Sequence, residues 1–164
     1  IKRPEIQTPS TGTGAERLSP DQVKEENRVR DWLSATPNPI DINKGACIDR
    51  LVNCTNVVGL PQQTLTMLKD LKNGCTDTNT FGGCQVMITG GTESFPHVSH
   101  GPGVNAVDIA PNPTLNTYLG VTNPPKDKKT PQEKKIGLNT YIFTFEPKGI
   151  GNSTEDHWHV IPKP

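Results

Sequence analysis

Two short stretches hold all four histidines of this chain: "HVSHGPGVNAVDI" at residues 97–109 and "EDHWHV" at residues 155–160. In the first, His97 and His100 precede a Gly-Pro-Gly turn. A run of Val104, Ala106, Val107 and Ile109 then carries one carboxylate, Asp108. A lone carboxylate among apolar neighbours is costly to bury without a partner, and a cation is a natural one. A zinc hydrolase needs three protein ligands and one open position. It also needs a nearby carboxylate to move a proton from water to the leaving amine. His100, Asp108 and His159 supply the ligands, and Asp156 the carboxylate. His97, His157 and Glu93 are candidates for contact with substrate.

The elements must bring these residues together. On a strand, His157 and His159 point to one face and Trp158 to the other. If the strand around Asp108 pairs with the strand around His159, the three ligands meet above one sheet face. The sequence "SPDQVKEENRVRDWL" reads as a helix, with Ser19 as N-cap, Pro20 at the first helical position and Val29, Trp32 and Leu33 as its apolar stripe. "LPQQTLTMLKDLKNGC" is a second helix, begun at Pro61, spaced by Leu65, Leu68 and Leu71, and stopped at Asn73-Gly74. "CQVMITGG", "VNAVDIA", "LNTYIFTFE" and "DHWHVIP" read as strands, and "NPTLNTYLG" as a short helix. "TNPPKDKKTPQEKK" reads as a mobile surface loop, with Lys126 to Lys135 forming one wall of a cleft. Helices come first and strands later. The expected fold is α+β: a small, mostly antiparallel sheet carrying a zinc site, flanked by helices and joined by long loops. Residues 1–18 read as a linker or extended arm, and 19–164 as a single domain.

The chain has 164 residues and zero formal net charge, so no basic excess points to nucleic acid. Hydrophobic residues make up 31%, while glycines number 15 and prolines 16, so the core is modest and extra restraint is expected. Four cysteines lie in two close pairs, Cys47 with Cys54 and Cys75 with Cys84. Neither pair has the C-x-x-C spacing of a four-cysteine zinc site. Two local disulfides are expected instead, and with them an extracytoplasmic setting. No apolar run is long enough to span a membrane. No signal peptide is recognised, and the first residue is Ile. The chain therefore reads as a processed or excised piece of a longer surface protein. The glycines of "TGGTES" lack phosphate-loop spacing, and close packing beside the metal site is their expected role.

The combined pattern resembles the zinc D-Ala-D-Ala carboxypeptidases and L-Ala-D-Glu endopeptidases that act on peptidoglycan, fold relatives of the hedgehog signalling domain and of lysostaphin-type enzymes. Their signature runs Ser-x-His-x-x-Gly-x-Ala-x-Asp and, much later, Glu/Asp-x-Trp-His. Here "SHGPGVNAVDI" supplies His100, Gly103, Ala106 and Asp108, and "DHWH" supplies Asp156, Trp158 and His159. The resemblance covers about the second half of the chain. It implies zinc held by His100, Asp108 and His159, with Asp156 as general base, in a bacterial or phage protein. Two departures stand out. The step from His100 to Asp108 is one residue longer than the family spacing. The family's upstream arginine is also missing, because all five arginines lie at or before Arg50. Glu93, Ser94 or His97 would have to replace it, or the domain binds peptidoglycan or a protein partner without cutting. A structural domain of a surface apparatus is a third reading.

Overall fold

The computed structural model describes residues 17–75, 83–93, 100–151 and 153–164. Of the expected arm over 1–18, only Arg17 and Leu18 fall among them. His97 and Ser94 lie outside the described residues.

Helix α1 (Pro20–Ser34) starts as its sequence dictates. The Ser19 hydroxyl accepts from the Gln22 amide, and the Gln22 side chain accepts from the Ser19 amide, which closes a capping box. Helix α2 (Gln62–Gly74) follows Pro61 and buries Leu65, Leu68 and Leu71. In the short α3 (Pro113–Tyr118), the Asn112 side chain caps the Leu115 amide. Strands β1 (Asp41–Ile42), β2 (Met87–Gly90), β3 (Val107–Ile109), β4 (Thr130–Ile136), β5 (Asn139–Glu146) and β6 (His157–Pro162) complete the fold. They form one sheet in the order β1-β2-β3-β6-β5-β4.

This is an α+β fold, but the sheet is mixed rather than mostly antiparallel. β1 runs parallel to β2, with Asp41 opposite Met87. A two-residue strand is too short to leave an alternating signature, so β1 is invisible to pattern reading. "TNPPKDKKTPQEKK" is not a loop throughout. Its second half is β4, paired with β5 from Thr130↔Phe145 to Ile136↔Asn139. β4 is an edge strand, where lysines and a proline are tolerated because one side needs no ladder partner.

The sheet's two faces differ sharply. Trp158 and Val160 of β6, Tyr141, Phe143 and Phe145 of β5, and Val107 and Ile109 of β3 join the helices in the apolar core. Their alternates, Asp108, His157, His159, Thr144 and Glu146, occupy the opposite face through the registers Asp108↔His159, Thr144↔His159 and Glu146↔His157. The segment after β1, closed by the Cys47–Cys54 disulfide, lies against this second face. The second disulfide joins Cys75 to Cys84 at the end of α2.

Candidate metal centre

Asp108 is the hub. It is 3% exposed, and both its carboxylate oxygens meet imidazoles. Its Oδ1 lies 2.8 Å from His159 Nδ1, and its Oδ2 lies 3.2 Å from His100 Nε2. His157 Nε2 stands 3.6 Å from the same Oδ2. One donor atom each from His100, Asp108 and His159 falls within a 4.8 Å span. The rings of His100 and His159 pack edge to face with centroids 5.2 Å apart. The antiparallel pairing of β3 with β6 is what brings them together.

The surrounding backbone fixes these side chains. His100 Nδ1 donates to the Gly91 carbonyl at 2.9 Å, leaving Nε2 to face Asp108. Gly90 sits opposite Asp108, and a Cβ there would lie 2.7 Å from Asp108 Oδ2. A Cβ on Gly91 would come within 2.0 Å of the Asn56 carbonyl oxygen. The two glycines of "TGG" therefore admit close packing beside the cluster, as expected from the sequence.

The electrostatics follow from the contacts. Burial pushes Asp108 up, but hydrogen bonds from His100 and His159 and the charges of His100 and His157 outweigh it. The net effect holds the carboxyl far below the usual carboxylate range. For His100, burial disfavours the charged ring. The hydrogen bond and charge of Asp108, the charge of Glu93 and the Gly91 carbonyl reverse this and raise its pKa. His157 behaves alike: burial lowers it, while the Glu146 hydrogen bond and the Asp108 charge raise it more.

The other predicted residues are placed differently. His157 belongs to the cluster's margin and is held by Glu146 Oε1 at 2.8 Å from Nε2, with Nδ1 donating to the Glu155 carbonyl at 3.0 Å. Asp156 stands apart from the three converging donors. Its Oδ2 accepts from Lys126 Nζ, and its Oδ1 accepts from the Lys148 amide at 2.8 Å. Those contacts, Lys126 first, hold its carboxyl below the usual range. Glu93 is buried and serves as a strut. Its Oε1 accepts from the amides of Asn56 at 3.0 Å and Gly91 at 2.9 Å. Glu146 escaped the sequence reading. The available signal was its place two residues beyond Thr144, on the non-aromatic side of "TYIFTFE".

A groove of about 460 Å³ opens beside the cluster, with Asp108 and His157 in its lining. Its other walls come from Asn43, Lys44 and Val52–Cys54, and from Thr154 and Glu155. The residues 126–135 expected to wall it are not among them. Compared with known proteins, the chain matches no family model, no curated protein and no solved structure.

Proposed function

We propose that this chain is an exported, zinc-dependent peptidase that hydrolyses peptide bonds in the stem peptides of bacterial peptidoglycan. The observation that carries the reading is the convergence of Asp108, His100 and His159 beside a groove. The donor set fits a divalent ion. Zinc bonds of about 2.0–2.2 Å around a tetrahedron place donors roughly 3.5 Å apart, and the Asp108–imidazole contacts already approach that spacing. Protons shared between Asp108 and the two rings are what a cation would replace. A bound ion would polarise a scissile carbonyl and make water more acidic. His100, Asp108 and His159 would hold it, and the Gly91 carbonyl would orient His100. Asp156 is the general base of this reading, and the Lys126 and Lys148 contacts that lower its pKa also make it a weaker proton acceptor while they last. Its Oδ2 must first exchange Lys126, whose side chain is 70% exposed, for the reacting proton. His157, clamped by Glu146, lines the groove. Two disulfides are compatible with export, and no described helix is long and apolar enough to cross a membrane.

A binding module without turnover is the second reading, and the engaged Asp156 favours it. Zinc content of the wild type and of His159→Ala, paired with mass spectrometry of a peptidoglycan digest, decides between the two. One zinc per chain, lost in the variant, with new peptide products is the expected result. Zinc without products supports the binding module. A wild type that takes up no zinc after reconstitution would overturn both.

A further inference from the structure

His100 takes its orientation from Gly91, a residue of the most pliable type. The Gly91 carbonyl accepts from His100 Nδ1 at 2.9 Å, which leaves Nε2 facing Asp108. Only glycine fits at this position, because a Cβ would come within 2.0 Å of the Asn56 carbonyl oxygen. Glycine has no side chain to restrict its backbone. Strand β2 ends one residue earlier, at Gly90, so Gly91 lies past the strand. The two peptide planes that meet at Gly91 therefore need other partners to fix them.

Glu93 reaches both planes. On one side, the Gly91 N–H donates to Glu93 Oε1 at 2.9 Å and to Oε2 at 3.1 Å. On the other side, the plane of the Gly91 carbonyl also contains the Thr92 N–H. That N–H donates to the Asn56 carbonyl at 2.7 Å, and the Asn56 N–H in turn donates to Glu93 Oε1 at 3.0 Å. Glu93 is 5% exposed, and a carboxylate is costly to bury merely to fill space. Glu26 is also buried, but the amides it holds are those of Val57 and Val58, neither of which touches a candidate ligand.

We propose that Glu93 is the positioning residue of the metal centre, holding Gly91 so that its carbonyl aims His100 Nε2 at the ion. The inference rests on the metal reading of His100. It gives a role to a carboxylate that stands outside the three converging donors. Loss of an outer partner of a metal-bound histidine costs about 10–100-fold in metal affinity.

The test uses Glu93→Gln, Glu93→Ala and, as a control, Glu26→Gln, each checked for folding by circular dichroism. In Glu93→Gln an amide nitrogen faces the Gly91 N–H that Oε2 now accepts, so the volume is kept and the grip is broken. Zinc affinity, by competition with a chelator, should fall about tenfold in Glu93→Gln and about a hundredfold in Glu93→Ala. It should keep its wild-type value in Glu26→Gln. The second readout needs no metal. The His100 Nδ1 proton is followed by NMR of metal-free, isotope-labelled protein at about pH 5, where both ring nitrogens carry protons. It should exchange slowly with water in wild type and in Glu26→Gln, and rapidly in both Glu93 variants. If Glu93→Ala does not fold, Glu93→Gln decides alone. An Nδ1 proton already fast in wild type overturns the proposal. So does an unchanged proton or an unchanged zinc affinity in Glu93→Gln, and so do equal losses in Glu26→Gln. A wild type that takes up no zinc would sink the metal reading, while an Nδ1 proton lost only in the Glu93 variants would still uphold Glu93 as the residue that positions His100.

Discussion

Glu26 and Asp108 are both carboxylates sealed from solvent, at 0% and 3% exposure, yet they do opposite things. Glu26 lies on α1 and is consumed by the backbone. Its Oε1 accepts from the amides of Val57 and Val58 at 2.8 and 2.7 Å, and its Oε2 pairs with Arg30 at 2.7 Å. Arg30 in turn donates to the carbonyls of Lys44 and Thr55. Every partner of Glu26 is a fixed donor that no metal can displace usefully. Asp108 meets imidazoles, whose nitrogens can hold either a proton or a metal. The difference teaches that burial of an acid is uninformative by itself, whereas the chemistry of its partners separates a strut from a candidate ligand.

The largest effect should come from breaking the strut. Glu26→Ala strands Arg30 and two buried amides, and should cost about 3–5 kcal/mol in denaturant unfolding. Zinc stoichiometry of the folded fraction should stay unchanged. Asp108→Asn inverts the pattern. Zinc affinity by competition with a chelator should fall by on the order of a hundredfold or more, beyond what loss of an outer partner costs, with less effect on stability than Glu26→Ala. If Asp108→Asn destabilises as strongly as Glu26→Ala and leaves zinc affinity intact, the two carboxylates are the same kind of strut.

The smallest effect sharpens the contrast through pH. Asp108 is held below its unfolded value of about 3.9, so its contribution is present above that pH and is lost as pH falls through the folded pKa. His100 and His157 are raised above about 6.5, so theirs is full below that pH and fades as pH rises through the folded values. Melting curves of metal-free protein should peak between roughly pH 4 and 6.5. The gain in melting temperature on adding zinc should grow from pH 6 to pH 8, because zinc competes with protons for the same nitrogens. A zinc-induced gain that is flat in pH would remove the imidazoles from the ligand set.

Much of the centre was legible because strand alternation is a two-residue rule. Trp158 between His157 and His159, and Asp108 between Val107 and Ile109, reveal which side chains share a face once the strands pair. The pairing itself entered the reading only as a condition, under which the three ligands would meet. What stayed hidden was long-range. Lys126 reaches Asp156 across 30 positions, and Glu26 reaches Val57 across 31. Neither contact leaves a periodic trace in either segment. Glu93 is a candidate for substrate contact in the sequence, yet two backbone amides hold its carboxylate inside. The lysines and proline of β4 mimic a loop because edge strands use the same residues.

The Asp108↔His159 register also governs how this chain can change over generations. One residue inserted or deleted within β3 would rotate Asp108 towards Trp158 and Phe143 and place Val107 or Ile109 beside the histidines. Length variation should therefore be forbidden between Val107 and Ile109 and inside His157–Pro162. It should be tolerated in the turn from Gly137 to Leu138, whose second residue is 95% exposed. Among related chains, the record of insertions and deletions should trace the outline of the site as clearly as the identities of its residues.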